Sequence, residues 1–279
     1  MLLAFINKVW LKFFVKPYIS FQIACLNDYQ GVTCEKRELP IIVSFCQENN
    51  DLTVLLTSIY SILNQSVKPD RIILWLNNET QDLNDLPYEL TKLIKNGLEI
   101  RFVKEINKYT KTICPLREFK NSIIVTVDSS MYYSKNWLRK LYLSYIAHPE
   151  DVQVHRAYKV ILTNDNKIEF GKLIKEDNVG YSYLMEEKGG ILYPPNTFSL
   201  EVFRKDIYQK YLSQTDLIWL WTMAVLNDKK IRIVQNNIKN VFKINIAFNT
   251  RQIELNNFDK VLSYYGKNLL IKLKKECDN

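Results

Sequence analysis

The sequence predicts an α/β fold, a mostly parallel sheet flanked by helices. Three observations carry that expectation. Short, mainly apolar runs of strand length (Ile41–Phe45, Arg71–Leu76, Ile123–Val127) are separated by stretches whose apolar residues recur at helical spacing. Inside these runs polar residues are few, as expected of strands covered on both faces, the usual state of parallel strands. Gly, Pro, Asn and Asp punctuate the boundaries.

Each element follows in order. Pro40 precedes the first strand. Asn49 or Asn50 is expected to cap the next helix, whose inner face is Leu52, Leu55, Leu56, Ile59, Ile62 and Leu63. Asn64-Gln65-Ser66 ends it, Lys68-Pro69-Asp70 turns the chain, and Arg71–Leu76 returns as a second strand. Such a βαβ unit is parallel and, by rule, right-handed. Leu86, Leu90, Leu93 and Ile94 mark a helix closed by Gly97. Leu98, Ile100 and Phe102 alternate as a strand, and Ile123–Val127 is a buried strand ending at Asp128. Ser134 is the expected cap of a helix over Lys135–Ala147, stopped by His148-Pro149. Gly189-Gly190 and Tyr193-Pro194-Pro195 read as a rigid loop. Thr215 is the expected cap of a helix through Val225, with Leu217, Leu220, Trp221, Ala224 and Val225 inward, and Ile231–Val234 is the last strand. Internal repeats and linker-like stretches are absent from the sequence.

Composition narrows the function classes. With 279 residues, 47% of them hydrophobic and 24% charged, the chain is too apolar for a disordered protein. Seven Gly and eight Pro exclude collagen-like and Pro/Gly-rich chains. The 38 basic and 30 acidic residues give a net charge of +8, which favours anionic partners or marks a solvated basic surface. Nucleic acid is not an expected partner: the lysines are spread along the chain and there is no helix-turn-helix, RRM or zinc signature. Five cysteines without CxxC or Cys/His metal spacing fit a reduced, cytoplasmic setting.

The ends differ from the middle, dividing the chain into an amphipathic segment 1–39, a central domain 40–240 and a basic tail 241–279. Lys8, Lys12 and Lys16 form one stripe on a helix, and Leu2, Leu3, Ile6, Val9, Trp10, Phe13 and Phe14 crowd much of the rest. This pattern suits a helix lying in an anionic membrane interface, such as the inner face of the plasma membrane, or one packed on the domain's own core. The tail mixes Leu269, Leu270, Ile271 and Leu273 with Lys267, Lys272, Lys274 and Lys275 in the same way.

Ligands of open α/β sheets sit at the carboxyl ends of strands. Asp128 falls there, directly after Ile123–Val127, as a carboxylate for a divalent cation and diphosphate or as a turn aspartate. Asp216 opens the Trp219/Trp221 helix, as a functional acid or as a first-turn acid that favours the helix dipole. Lys108 and Lys111, between two strands, are candidate phosphate contacts or part of a solvated surface loop.

Taken in order, IIVSF, SIYSILNQSVKPDRIILWL, NKYTKTICPLREF before SIIVTVD, YYSKNWLRKLYLSY, VHRAYKV, GGILYPP and TDLIWLWTMAVLN resemble bacterial family 2 glycosyltransferases of the GT-A fold, which build capsular and lipopolysaccharide sugars. The resemblance spans roughly residues 40–235. It implies a GT-A-like fold and inverting transfer of a sugar from a nucleoside-diphosphate donor to a glycan or lipid-linked acceptor. It places Ser44 and Phe45 near the nucleotide base, Tyr109 and Lys111 toward the donor sugar and diphosphate, and Gly189 and Gly190 beside the sugar. It makes Asp128, with Ser130, the segment for Mg²⁺ or Mn²⁺, and Asp216 the catalytic base. Two positions depart from the family pattern. Asp128-Ser129-Ser130 stands where the family carries acids throughout, and Asp216-Leu217 where it carries two acids. A catalytically impaired protein that binds a sugar nucleotide or a partner is therefore the alternative reading.

Overall fold

The computed structural model describes residues 14, 16–26, 29–47, 51–78, 86–163, 165–212, 215–234, 241–244 and 251–277. Its centre is an eight-stranded sheet of order β3-β2-β1-β4-β11-β6-β12-β9. The strands are β1 (Ile41–Cys46), β2 (Arg71–Asn77), β3 (Leu98–Val103), β4 (Ile123–Thr126), β6 (Val152–Val154), β9 (Asn178–Gly180), β11 (Ile191–Tyr193) and β12 (Ile231–Ile233). β3, β2, β1 and β4 are parallel neighbours, and β6 and β12 are parallel to each other. β11 runs antiparallel to both β4 and β6, and β9 runs antiparallel to β12. The carboxyl ends of β1, β4, β6 and β12 and the amino end of β11 therefore lie along one edge.

Strand periodicity divides the core in two. Ile41, Val43 and Phe45 point to one face of β1, and Ile42 and Cys46 to the other. The first face packs against α1 (Lys16–Ala24), α2 (Leu52–Leu63), α3 (Tyr88–Ile94) and α5 (Trp137–Ala147), where Ile19, Ile23, Leu56, Leu90 and Leu138 are buried. The second face packs against α4 (Thr110–Glu118) and α7 (Leu217–Leu226). A sheet covered on both faces explains why its strands read as apolar runs.

Outside the central sheet, β7 (Ala157–Leu162), β8 (Ile168–Ile174) and β10 (Tyr183–Met185) form a three-stranded antiparallel sheet. β5 (Met131–Tyr133) pairs with β13 (Val241–Lys243). α6 (Lys205–Tyr211) leads into α7, and α8 (Arg251–Cys277) packs on α7 with Val261, Leu269 and Leu273 buried in the core. The Glu276 carboxylate anchors the far end of α8, accepting hydrogen bonds from the Ser182 amide at 3.0 Å and the Ser182 hydroxyl at 2.6 Å. Phe14 is exposed, and the expected lysine stripe through Lys8 and Lys12 lies outside the described residues. No helix among the described residues is long and apolar enough to cross a membrane.

Several local expectations are corrected. Asp51 caps α2, its carboxylate accepting from the amides of Thr53 and Val54; Asn49 and Asn50 lie outside the described residues. α5 starts two residues later than expected, at Trp137, and Asn136 rather than Ser134 is its cap residue. Asp216, not Thr215, is the cap position of α7, and α7 is buried from Leu217 to Val225 on every side. The segment carrying Lys111 is helix α4, not a solvated loop. The expected rigid loop 189–195 contains a 3-10 turn ending at Gly189 and then β11, a central strand.

Candidate functional site

The carboxyl edge of the sheet gathers polar residues from distant parts of the chain. Ser44 of β1 and Ile191 of β11 both pair with Thr126 of β4, and Ile191 also pairs with Val154 of β6. The segments just beyond these positions bring Asp128, the 186–190 turn, His155 and Arg156 to the same edge.

Local chemistry fixes Ser44 and Lys111. Pro115 inside α4 has no amide hydrogen, so the Lys111 carbonyl four residues earlier lacks its helical donor. The Ser44 hydroxyl donates to that carbonyl at 2.6 Å and accepts the Trp75 indole N–H at 2.9 Å. Lys111 is buried, its side chain 2% exposed, and forms an ion pair with Glu187. Phe45 is wholly buried on the opposite face of β1, in the α2 core.

Asp128 closes a tight turn. Its Oδ1 accepts from the Ser130 amide at 2.7 Å and the Ser130 hydroxyl at 2.6 Å, and its own amide donates to the Tyr133 hydroxyl at 2.9 Å. Tyr133 is fully buried; burial first, and the Asp128 charge second, push its pKa well up. Beside it Glu186 pairs with Arg156 at 2.8 Å and accepts from the Gly189 amide at 3.1 Å. Burial raises the Glu186 pKa although Arg156 opposes the shift. The pair is held by charge more than by alignment, because Arg156 Nε and Nη2 have no hydrogen-bonded partner among the described residues.

The glycine pair is packed under Trp137. The Trp137 indole donates to the Gly189 carbonyl at 2.7 Å. Gly190 adopts φ +77° and ψ 151°, a region essentially reserved for glycine, and a β-carbon there would overlap the indole ring. His155 Nε2 lies 3.1 Å from the Trp137 carbonyl, and its ring is tilted to the indole with centroids 6.2 Å apart.

Asp216 belongs to a neighbouring group on the α4/α7 face. The Tyr109 hydroxyl hydrogen-bonds the carbonyls of Leu212 and Thr215, both at 2.9 Å, which ties the start of α7 to the start of α4. Tyr109 also stacks on Tyr208 with centroids 4.1 Å apart. Burial, then the Asp216 charge, raises the pKa of Tyr109 and of Tyr193. Asp216 itself is 2% exposed.

The edge thus joins Ser44 to Lys111 and Lys111 to the 186–190 turn, with Asp128 near enough for its charge to act on Glu186. Asp216 lies close enough to Tyr109 and Tyr193 for its charge to act on both. Arg156, Glu186 and Glu187 were not among the sequence candidates; Glu186-Glu187-Lys188 leads into the glycine pair, but nothing in that spacing names their cationic partners. The donor set does not fit a hard divalent cation. Asp128 brings one carboxylate whose Oδ1 already accepts two hydrogen bonds from Ser130, and Glu186 is held by Arg156. Among the described residues no group of three or more His, Cys, Asp or Glu is placed to hold a metal ion. No protein-family model matches the chain, and no curated protein matches it in sequence.

Proposed function

We propose that the chain is a GT-A-like glycosyltransferase, moving a sugar with inversion from a nucleoside-diphosphate donor to a hydroxyl of a glycan or lipid-linked acceptor. The observation that carries this reading is the meeting of Ser44, Lys111, Asp128 and Gly189-Gly190 on the carboxyl edge of a mostly parallel sheet. That edge is where open α/β sheets bind their ligands.

In this reading Lys111 and Arg156 face the diphosphate, and the 186–190 turn borders the donor sugar, with Gly190 required by its packing under Trp137. Asp216 takes the proton of the acceptor hydroxyl as its oxygen attacks the anomeric carbon. The bond from that carbon to the diphosphate breaks, and the electron pair leaves with the diphosphate, whose charge the two cations stabilise. No step uses a metal ion, because the donor set does not suit one.

A second reading is favoured by a specific observation. Asp216 and Lys111 are almost wholly enclosed, and Leu217 stands beside the only acid at the start of α7. A sugar-nucleotide-binding protein without transfer activity fits that enclosure. Turnover of isotope-labelled sugar nucleotides separates the two: transfer that Asp216→Asn abolishes supports the enzyme, and binding without transfer supports the second reading. Donor binding unaffected by Asp128→Ala would overturn the placement of the site itself. Association with an anionic membrane surface is proposed from the lysine stripe of residues 1–16, and loss of vesicle binding on deleting that segment is its test.

A further inference from the structure

Two consecutive acids, Glu186 and Glu187, neutralise two cations that come from different elements. Glu187 takes Lys111 from α4, and Glu186 takes Arg156 from the link between β6 and β7. Glu187 Oε1 is the atom that contacts the Lys111 ammonium. The Arg156–Glu186 pair is less well aligned: Arg156 Nε and Nη2 have no hydrogen-bonded partner among the described residues. Arg156 therefore carries N–H groups, in a fork suited to phosphate oxygens, that a single carboxylate leaves unused.

The two acids are not equally free to leave. Glu186 also accepts from the Gly189 amide and so caps the 3-10 turn that presents the glycine pair. Glu187 makes no such bond, and its side chain is 18% exposed while that of Lys111 is 2% exposed. Rotation of the Glu187 side chain outward would uncover Lys111 without moving the backbone of the turn.

We propose that Glu187 is an internal stand-in for the ligand's phosphate. It holds Lys111 in the empty site and is displaced when a diphosphate binds. This inference rests on the donor-binding reading given above. A buried lysine without a counter-charge is costly, so a resident carboxylate keeps the empty site stable. The same carboxylate competes with the ligand, and the apparent affinity is reduced by the fraction of molecules in which Lys111 is uncovered.

The test is calorimetric titration of the full chain with inorganic pyrophosphate and with UDP and GDP. Glu187→Gln should bind at least one of these about tenfold or more tightly than the wild type. Lys111→Met should bind more weakly, and Glu187→Gln should give no gain in the Lys111→Met background. Glu187→Asp keeps the charge on a shorter arm, so it should fold as the wild type does and show a smaller gain; it carries the test if Glu187→Gln is unstable. Equal or weaker binding by both Glu187 variants, with Lys111→Met still weakened, overturns the stand-in and leaves the donor site in place. Absence of binding in every variant overturns the donor site as well.

Discussion

Ser44 donates its hydroxyl to the carbonyl of Lys111, and that carbonyl is the one Pro115 leaves without a helical amide. One side chain on β1 thus repairs a defect built into α4, and it holds the Trp75 indole N–H as well. Ser44→Ala would strand a buried acceptor and a buried donor. Each stranded group costs about 1–3 kcal/mol, so a loss of about 2–6 kcal/mol is expected in urea unfolding. Pro115→Ala restores the missing amide, so Ser44→Ala should cost clearly less in that background. Strict additivity of the two substitutions would disprove the repair.

Gly190 and Trp137 occupy neighbouring space that only one of them can fill. Gly190→Ala adds a β-carbon in a φ/ψ region that side chains avoid and drives it into the indole. Backbone strain and overpacking each cost about 1–3 kcal/mol, so a combined loss of about 2–6 kcal/mol is expected. Trp137→Leu relieves the overlap but not the backbone strain, so thermal melts should show partial rescue in the double variant. Wild-type stability of Gly190→Ala would mean that the turn is not packed as described.

The strands and helices of the first half were legible because their physics is local. β1, β2 and β4 read as apolar runs since both faces are covered, and α2 carries its periodic leucines and isoleucines on one side. α4 was not legible. Pro115 argues against a helix, and Lys108 and Lys111 look like surface charge until Glu187 is brought from another part of the chain. β11 was missed because three residues between two glycines and two prolines look like a loop, and only the pairing partners on both sides make them a strand. The small sheet β10-β7-β8 was missed for a different reason: β7 (AYKVIL) and β8 (IEFGKLI) have strand length but are half-exposed and mix charged with apolar residues. At the site, Asp128 was legible from its place after a strand, but its bonds to Ser130 were not. Arg156 and Glu186 are defined by each other, and no sequence spacing announces a pair that forms only when β6 and the 186–190 turn meet.

Lys68 offers a stability effect with a definite sign. Its ammonium bonds the Leu63 carbonyl and lies 4.3 Å from the centre of the Tyr29 ring. Burial, then the charge of Lys135, lowers its pKa from the ordinary 10.5 to about 8. Between those values the folded chain binds fewer protons than the unfolded one, so stability rises with pH across that window. Lys68 is only half-buried and water screens the effect, which brings the expected rise down to about 1 kcal/mol. Denaturant titrations at pH 7.5 and pH 10 should show this rise in the wild type, and Lys68→Met should flatten it. An equal rise in Lys68→Met would assign it to another group.

The carboxylate of Asp128 decides how the site treats divalent cations. Ser130 donates to Asp128 Oδ1 through both its amide and its hydroxyl, so a cation at that oxygen must compete with two hydrogen bonds and finds no second carboxylate on the turn. Hard cations take six or more oxygens and favour several charged ones. Mn²⁺ should therefore shift the melting temperature of the wild type little. Ser130→Asp removes one of the two hydrogen bonds and adds a carboxylate two residues from Asp128. Ser129→Asp adds another at the position between them. The double variant should melt higher with Mn²⁺: a cation at about a hundred times its dissociation constant stabilises by about 2.7 kcal/mol. Asp128→Asn in that background should abolish the gain, which ties the cation to this turn rather than to the acids elsewhere on the surface. A wild type that Mn²⁺ stabilises as strongly as the double variant would show that the Asp128 turn opens to a cation despite Ser130, and the metal-free diphosphate site built on Lys111 and Arg156 would have to be abandoned.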